Sequence, residues 1–222
     1  MRKLVITVAL VGLVAPVVLA DDLNPPPWER ITTPNTTYQH WDSWFDWYVT
    51  GEYLPDDEYN PYYEFGVEDG PLVVDPYGFG EVLDEYEGRP DVLHLTDGDW
   101  LEIMLPNTDT PNPQKDIYFQ WVWHWDGAPS YPEIYDLFGT IDNWELEVLE
   151  SYPFGETEGW WYEWFKITIY PNVDFEEIDI WPAMGGGDLY IDQIVIDTRC
   201  VPEPATLGLF VIGALALLRR KR

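Results

Sequence analysis

Apolar and polar residues alternate along much of the chain between residues 37 and 198, as expected for β-strands that bury one face. The clearest run extends from Ile117 to Trp125. Successive side chains of a strand point to opposite faces, so this run predicts one strongly apolar face and one mixed face. The apolar face carries Ile117, Phe119, Trp121, Trp123 and Trp125, and the mixed face carries Tyr118, Gln120, Val122 and His124.

Further runs predict further strands. Residues 100–105, 144–149, 165–170 and 177–181 alternate in the same way. The run from Leu189 to Asp197 is apolar on both faces except at Asp192, Gln193 and Asp197, which favours a central strand. Pro-Asn and Gly clusters separate the runs at the spacing of an antiparallel sandwich.

The pattern as a whole predicts an all-β fold. Convincing amphipathic helices are absent, although residues 131–138 are compatible with one short helical turn. We expect a single domain over residues 37–199, built as a two-sheet antiparallel β-sandwich with jelly-roll topology. The closing run from Tyr190 to Asp197 resembles the last strand of jelly-roll carbohydrate-binding modules.

The N-terminus has the layout of a secretory signal peptide over residues 1–20. A basic start at Arg2 and Lys3 precedes an apolar stretch, and Val18-Leu19-Ala20 supplies a cleavage site for signal peptidase. A Pro-rich leader over residues 21–36 is predicted to be extended. We expect a signal helix before the sandwich and none within the leader.

The C-terminus, residues 200–222, combines three features in order. A Pro202-Glu203-Pro204 motif comes first, then an apolar run over residues 205–218, then a basic end. As a helix, the 14-residue run spans ~21 Å, short of a ~30 Å hydrocarbon core, so it predicts a short transmembrane helix. The basic end is expected to stay on the cytoplasmic side of the membrane. It consists of Arg219, Arg220, Lys221 and Arg222.

These three features closely resemble the PEP-CTERM sorting signal. The resemblance implies that an exosortase processes the chain near the motif, and it implies a Gram-negative bacterium that makes exopolysaccharide and biofilm. The protein would be exported, held transiently in the inner membrane by its C-terminal helix, and then moved to the cell surface or released outside the cell.

Charge and cysteine content exclude several classes. Lys and Arg number 11 against 41 Asp and Glu, which gives a net charge of −30. Nucleic-acid binding is not expected, because phosphate recognition needs clustered cations. One cysteine excludes a disulfide framework within the chain. So acidic a surface favours solubility in salt or contact with divalent cations.

No pattern predicts catalysis. The three serines lack a nucleophile elbow, and His40, His94 and His124 lack metal-ligand spacing, so they are interpreted as half-buried structural histidines. No cofactor is expected. Structural calcium is the one metal hypothesis. Its candidates are Asp97 and Asp99 of one Gly turn and Asp188 with Asp192, of which a site near Asp188 or Asp192 is favoured, and turn capping by Asp is the alternative.

Tryptophan is the most unusual component, with 13 residues. The row Trp121, Trp123 and Trp125 is predicted to be buried in the sheet core. Trp160 and Trp161 follow a Gly-rich segment and, as strand neighbours, cannot both face inward. We therefore expect one of the two to be exposed as a carbohydrate contact.

The sequence favours a non-catalytic protein of the cell surface or extracellular matrix that binds polysaccharide. Two alternatives stay open at this point. One is a glycan-active enzyme on a jelly roll, a hydrolase or lyase, because glycoside hydrolysis needs only two carboxylates. The other is a surface subunit that binds another protein through an aromatic patch.

Overall fold

A computed structural model describes thirteen segments of the chain. They comprise residues 24–30, 32–44, 57–59, 74–76, 80–96, 98–99, 101–105, 114–127, 133–135, 144–155, 159–170, 176–182 and 187–201.

Twelve β-strands make up the regular structure of the described residues. They are β1 (Thr36–Trp41), β2 (Asp57–Tyr59), β3 (Val74–Pro76), β4 (Glu81–Tyr86), β5 (Arg89–Leu95), β6 (Leu101–Leu105), β7 (Gln114–Gly127), β8 (Glu133–Tyr135), β9 (Trp144–Pro153), β10 (Trp160–Ile169), β11 (Glu176–Trp181) and β12 (Gly187–Val201).

The strands form two antiparallel sheets. The main sheet has eight strands in the order β2-β1-β12-β7-β10-β9, and a β4–β5 hairpin joins it where β5 pairs with β12. The small sheet has the order β3-β6-β11-β8. The prediction of an all-β, antiparallel fold is confirmed, and no helix occurs within the described ranges.

The prediction of a helical turn over residues 131–138 is wrong for its described part. Residues 133–135 form β8, and Ile134 pairs with Ile180 of β11. Pairing with a neighbouring strand supplies the backbone hydrogen bonds that a helical turn would have made locally, so tertiary context overrides the local pattern.

The main core lies against one face of the main sheet. The predicted apolar row of β7 lies there: Trp121 and Trp123 are buried, and the partly buried Trp125 packs against the cluster. Leu101 and Ile103 of β6 and Ile178 of β11 belong to the same core, so side chains of both sheets share it. The predicted burial of the tryptophan row is therefore confirmed for Trp121 and Trp123, and Trp125 is partly buried.

The opposite face, called the outer face here, is also covered. Val122, Trp160, Tyr162 and Tyr190 form a second apolar cluster together with Val92 of the hairpin. Burial on both faces explains why the sequence of β12 is apolar on both sides, and its position between β1 and β7 confirms the predicted central strand.

The described part of the leader lies along the outer face. Asn24 exchanges two hydrogen bonds with Gln120, at 3.0 and 2.8 Å. The Trp28 ring packs edge-on against Tyr118 at 5.1 Å. Arg30 donates to both carboxylate oxygens of Asp197, each at 2.6 Å. Side-chain contacts therefore hold the described part of the leader against the sheet, although its sequence predicts no helix or strand.

The terminal elements predicted from sequence lie outside the described residues. This holds for the signal peptide over 1–20 and for the membrane segment over 205–218. Within the described residues, no helix has the length and hydropathy needed to cross a membrane. The sequence predicts a domain over residues 37–199, and among the described residues the first strand begins at Thr36 and the last ends at Val201.

Candidate functional site

Trp160 and Trp161 lie on opposite faces of the main sheet. Gly159 precedes them with a φ of 103°, a conformation that favours glycine, and β10 then begins. Trp160 is 1% exposed and Trp161 is 36% exposed. The expectation that one of the two is exposed agrees with this geometry, and Trp161 is that residue.

Trp160 belongs to the packing of the outer face. Its ring lies 5.4 Å from the His124 ring and 6.3 Å from the Tyr86 ring, and the Arg89 guanidinium lies 5.2 Å above it. A Cβ added to Gly159 would overlap the His124 imidazole, so the chain that enters β10 passes close over that ring. Trp160 therefore has a structural role.

Trp161 lies at the rim of the main core. Strand pairing places it between Trp123 of β7 and Pro153 of β9, on the same side of the sheet. Trp123 is buried and Pro153 is exposed. The indole therefore lies between a buried neighbour and a solvent-exposed neighbour. This position leaves part of its rigid aromatic surface exposed to solvent.

Glu163 lies two residues further along the same side of β10 and is held by three donors. Its Oε2 accepts from the indole N–H groups of Trp121 and Trp123, each at 3.1 Å. Its Oε1 accepts from the Ser151 hydroxyl at 3.1 Å. A carboxylate has about four lone-pair sites, so one acceptor position is left for a further donor.

Trp161, Pro153, Ser151 and Glu163 together are called the Trp161 patch. An exposed indole offers a flat face on which the C–H side of a sugar ring can pack, and the oriented carboxylate can accept a hydroxyl. The sequence points to Trp160 or Trp161 without deciding between them, and it gives no sign of the other three residues. Their association arises from the pairing of β9 with β10, which the local sequence does not specify.

The two aspartates of the calcium hypothesis have different partners. Asp192 forms an ion pair with Arg89, and Asp188 lies 3.1 Å from the Nε2 of His94. In the described part of the chain, no group of three or more His, Cys, Asp or Glu side chains is arranged to hold a metal. Calcium binding at Asp188 and Asp192 stays a prediction.

Asp99, in a neighbouring Gly turn, behaves as a capping residue. Its Oδ2 accepts from both the backbone N–H and the hydroxyl of Thr96, each at 2.8 Å. This is the local bonding that Asp in a turn ordinarily makes.

Two of the three histidines meet at one tyrosine. The ring of His94 stacks on Tyr190 at 4.6 Å, and His124 contacts the same ring edge-on at 5.8 Å. His40 lies on β1 and is buried. Burial lowers the pKa of His124, although Glu87 and Asp126 oppose the shift. The interpretation of these residues as packed side chains fits their contacts.

The sorting residues follow directly on the main sheet. Val201 ends β12, and Pro202, Glu203 and Pro204 come next, outside the described residues, as do Arg219, Arg220, Lys221 and Arg222. Residues 201–222 match the model of the PEP-CTERM protein-sorting motif, which confirms the resemblance at this end. The motif indicates an exported protein that an exosortase processes. No curated protein and no solved structure matches the chain.

Proposed function

We propose that the chain is a non-catalytic protein of the cell surface or extracellular matrix that binds polysaccharide through the Trp161 patch. It rests briefly in the inner membrane before exosortase processing. The PEP-CTERM motif supports export and processing. The observation that carries the binding proposal is the exposed tryptophan at the start of β10, beside a carboxylate fixed by three donors.

The charge of the protein narrows the ligand class. A net charge of −30 repels anionic polymers, most strongly at low ionic strength. Glu163 at the patch adds a hydrogen-bond acceptor for hydroxyl groups rather than a partner for carboxylates or sulfates. The proposed ligand is therefore an uncharged polysaccharide.

The proposed architecture is the two-sheet sandwich of jelly-roll type. The main core, to which both sheets contribute side chains, supports it. In such a sandwich the Trp161 patch lies at the open rim between the sheets, where a sugar chain has access to the indole.

Affinity electrophoresis of the full chain in detergent, in gels that contain dextran, galactomannan or mixed-linkage β-glucan, tests the proposal. We expect one of these polymers to retard the wild type. Trp161→Ala should weaken the retardation about tenfold, because a lost stacking contact of about 1.4 kcal/mol is a factor of ten in affinity. It should lower Tm less than Trp160→Ala does, because part of the Trp161 indole is already exposed.

Two matched variants locate the effect. Trp144→Ala removes a tryptophan of similar exposure at the other end of β9 and should leave retardation unchanged. Trp160→Ala should lower stability by about 3–5 kcal/mol, because it empties a buried site. Binding that persists in Trp161→Ala, or that is lost equally in Trp144→Ala, would refute the patch. New reducing ends during incubation would instead indicate the enzymatic alternative.

A further inference from the structure

Strand β9 is an edge strand of the main sheet. Among the described strands it pairs with β10 alone, and it forms one end of the sheet order. Nine of its ten side chains are exposed, and Leu149 is half-buried. A row of backbone N–H and C=O groups on such an edge is a template for pairing with another strand.

One side of β9 continues the main core and is only partly covered. Trp144, Leu146 and Val148 pair with Ile169, Ile167 and Phe165, which are all buried in that core. The three β9 side chains are nevertheless 45%, 43% and 57% exposed. An apolar row of this kind ordinarily marks a contact with another molecule.

The other side of β9 is acidic. Glu145, Glu147 and Glu150 are all exposed there, on the outer face. No lysine and no proline precedes Pro153 in the strand, although these are the residues with which natural edge strands usually prevent pairing. The strand thus alternates apolar and anionic positions.

Charge decides between the candidate occupants of this edge. In an antiparallel pair, directly opposite residues lie on the same face, so a second copy of β9 in the register that aligns the apolar rows would place glutamates opposite glutamates. A strand with Lys or Arg at alternate positions and apolar residues between them satisfies both rows. It would extend the sheet by main-chain hydrogen bonds.

We propose that β9 is a docking edge for an extended segment of another protein in which basic and apolar residues alternate. This site shares β9 with the Trp161 patch but uses different side chains. The docking edge uses residues 144–148, whereas the patch uses Ser151 and Pro153 at the other end of the strand. The partner supplies the Lys or Arg side chains, of which this acidic chain has few.

Fluorescence anisotropy with the full chain in detergent tests the proposal. The probe is a labelled nine-residue peptide that alternates Lys and Val, compared with one that alternates Glu and Val. We expect the Lys peptide to bind at least about tenfold more tightly than the Glu peptide. Each cross-strand ion pair that the Lys peptide forms is a like-charge pair with the Glu peptide. N-methylation of alternate amides should abolish binding, since it removes the main-chain donors.

A charge variant and its control assign the surface. Glu145→Lys combined with Glu147→Gln should weaken binding of the Lys peptide about tenfold. Position 147 is changed to Gln rather than Lys because Lys166 lies opposite it on β10. The control, Glu81→Lys with Asp84→Gln, makes the same charge change at two exposed positions of β4 and should have no such effect. Absent binding, equal binding of the two probes, or equal loss in both variants would overturn the proposal. Self-association that the β9 variant strengthens would assign the edge to a second copy instead.

Discussion

Neighbouring residues of the same type have opposite roles at the start of β10. Trp160 is enclosed by Arg89, His124 and Tyr86, whereas Trp161 is open to solvent. Strand geometry alone requires the two side chains to diverge. What surrounds each of them is decided by the neighbouring strands, so identical residues contribute to stability in one case and to a candidate binding surface in the other.

Arg89 shows how a single residue joins several strands. It forms an ion pair with Asp192 of β12, and its guanidinium lies over the rings of Phe154 and Trp160. Asp192 is the extra residue at the register shift between Ile191 and Gln193, and its carboxylate reaches Arg89. The ion pair neutralises an otherwise poorly solvated aspartate.

His124 predicts an acid-sensitive stability. Burial holds the pKa of its imidazole below the usual value, so the folded protein binds this proton less readily than the unfolded chain does. Stability is therefore lost as pH falls below the unfolded pKa of about 6.5. Urea unfolding at pH 7.5 and pH 5 should show a smaller difference in free energy for His124→Asn than for the wild type.

Each difference in unfolding free energy is taken between two pH values of the same protein. The cost of the cavity that Asn leaves is therefore present at both pH values and cancels. The groups around His124 are Tyr86, Trp160 and Tyr190, with Glu87 and Asp126 acting on its charge. Equal differences in both proteins would mean that other groups carry the acid sensitivity.

Among the elements, the leader is anchored by one ion pair to the central strand. Asp197 of β12 is fully buried, and the guanidinium of Arg30 lies 2.6 Å from its carboxylate, on a side chain that is 19% exposed. Arg30 also lies 3.9 Å above the Tyr38 ring. The contact connects a segment without regular structure to β12.

Arg30→Met should therefore destabilise the protein by about 3 kcal/mol, because it removes the guanidinium that compensates a buried carboxylate. Chemical denaturation measures the change. Glu29→Gln, at the neighbouring position, should change stability by less than about 0.5 kcal/mol, since its bond to Thr32 is exposed. Similar costs for both variants would contradict the assigned role of the pair.

Strands β9 and β12 show that element type and element position are separate properties. Both contain apolar side chains at alternate positions, yet β12 lies between β1 and β7 and is buried, whereas β9 ends the sheet and is exposed. Both patterns predict strands, and the apolar character of both faces of β12 also predicts its central position. The alternating pattern of β9 does not specify its place, and only the order of pairing shows that β9 lies at the end of the sheet.

For the molecule as a whole, self-repulsion is the main electrostatic effect. With a net charge of −30, raising NaCl from about 0.01 M to about 0.5 M shortens the Debye length from about 30 Å to less than about 8 Å, and Tm should rise. Thermal unfolding followed by circular dichroism measures the change. A Tm that falls or stays constant would show that the anionic side chains are already compensated.

The same unfolding measurement tests the calcium prediction. At matched ionic strength, a calcium ion held by Asp188 and Asp192 should raise Tm beyond the effect of NaCl, and the rise should saturate with calcium concentration. Asp188→Asn should remove that extra rise. If CaCl2 and NaCl act alike, these carboxylates serve Arg89 and His94 alone.

The strand faces and the sorting signal can be predicted from local sequence. The alternation from Ile117 to Trp125 separates the two faces of β7 because side-chain direction follows chain order within a strand. The PEP-CTERM motif is likewise contiguous, so its residues need no fold to be identified. Export and an all-β body could therefore be predicted before any strand was paired.

Which side chains meet depends on how the strands pair. Ser151 and Glu163 come together through the pairing of β9 with β10, and His94 and His124 meet at Tyr190 through the pairing of β5 and β7 with β12. The small strand at Glu133–Tyr135 also exists because of its neighbour. Pairing is a long-range property that depends on the whole chain, and for that reason local periodicity predicted six of the twelve described strands without predicting the patch or the exposed edge of β9.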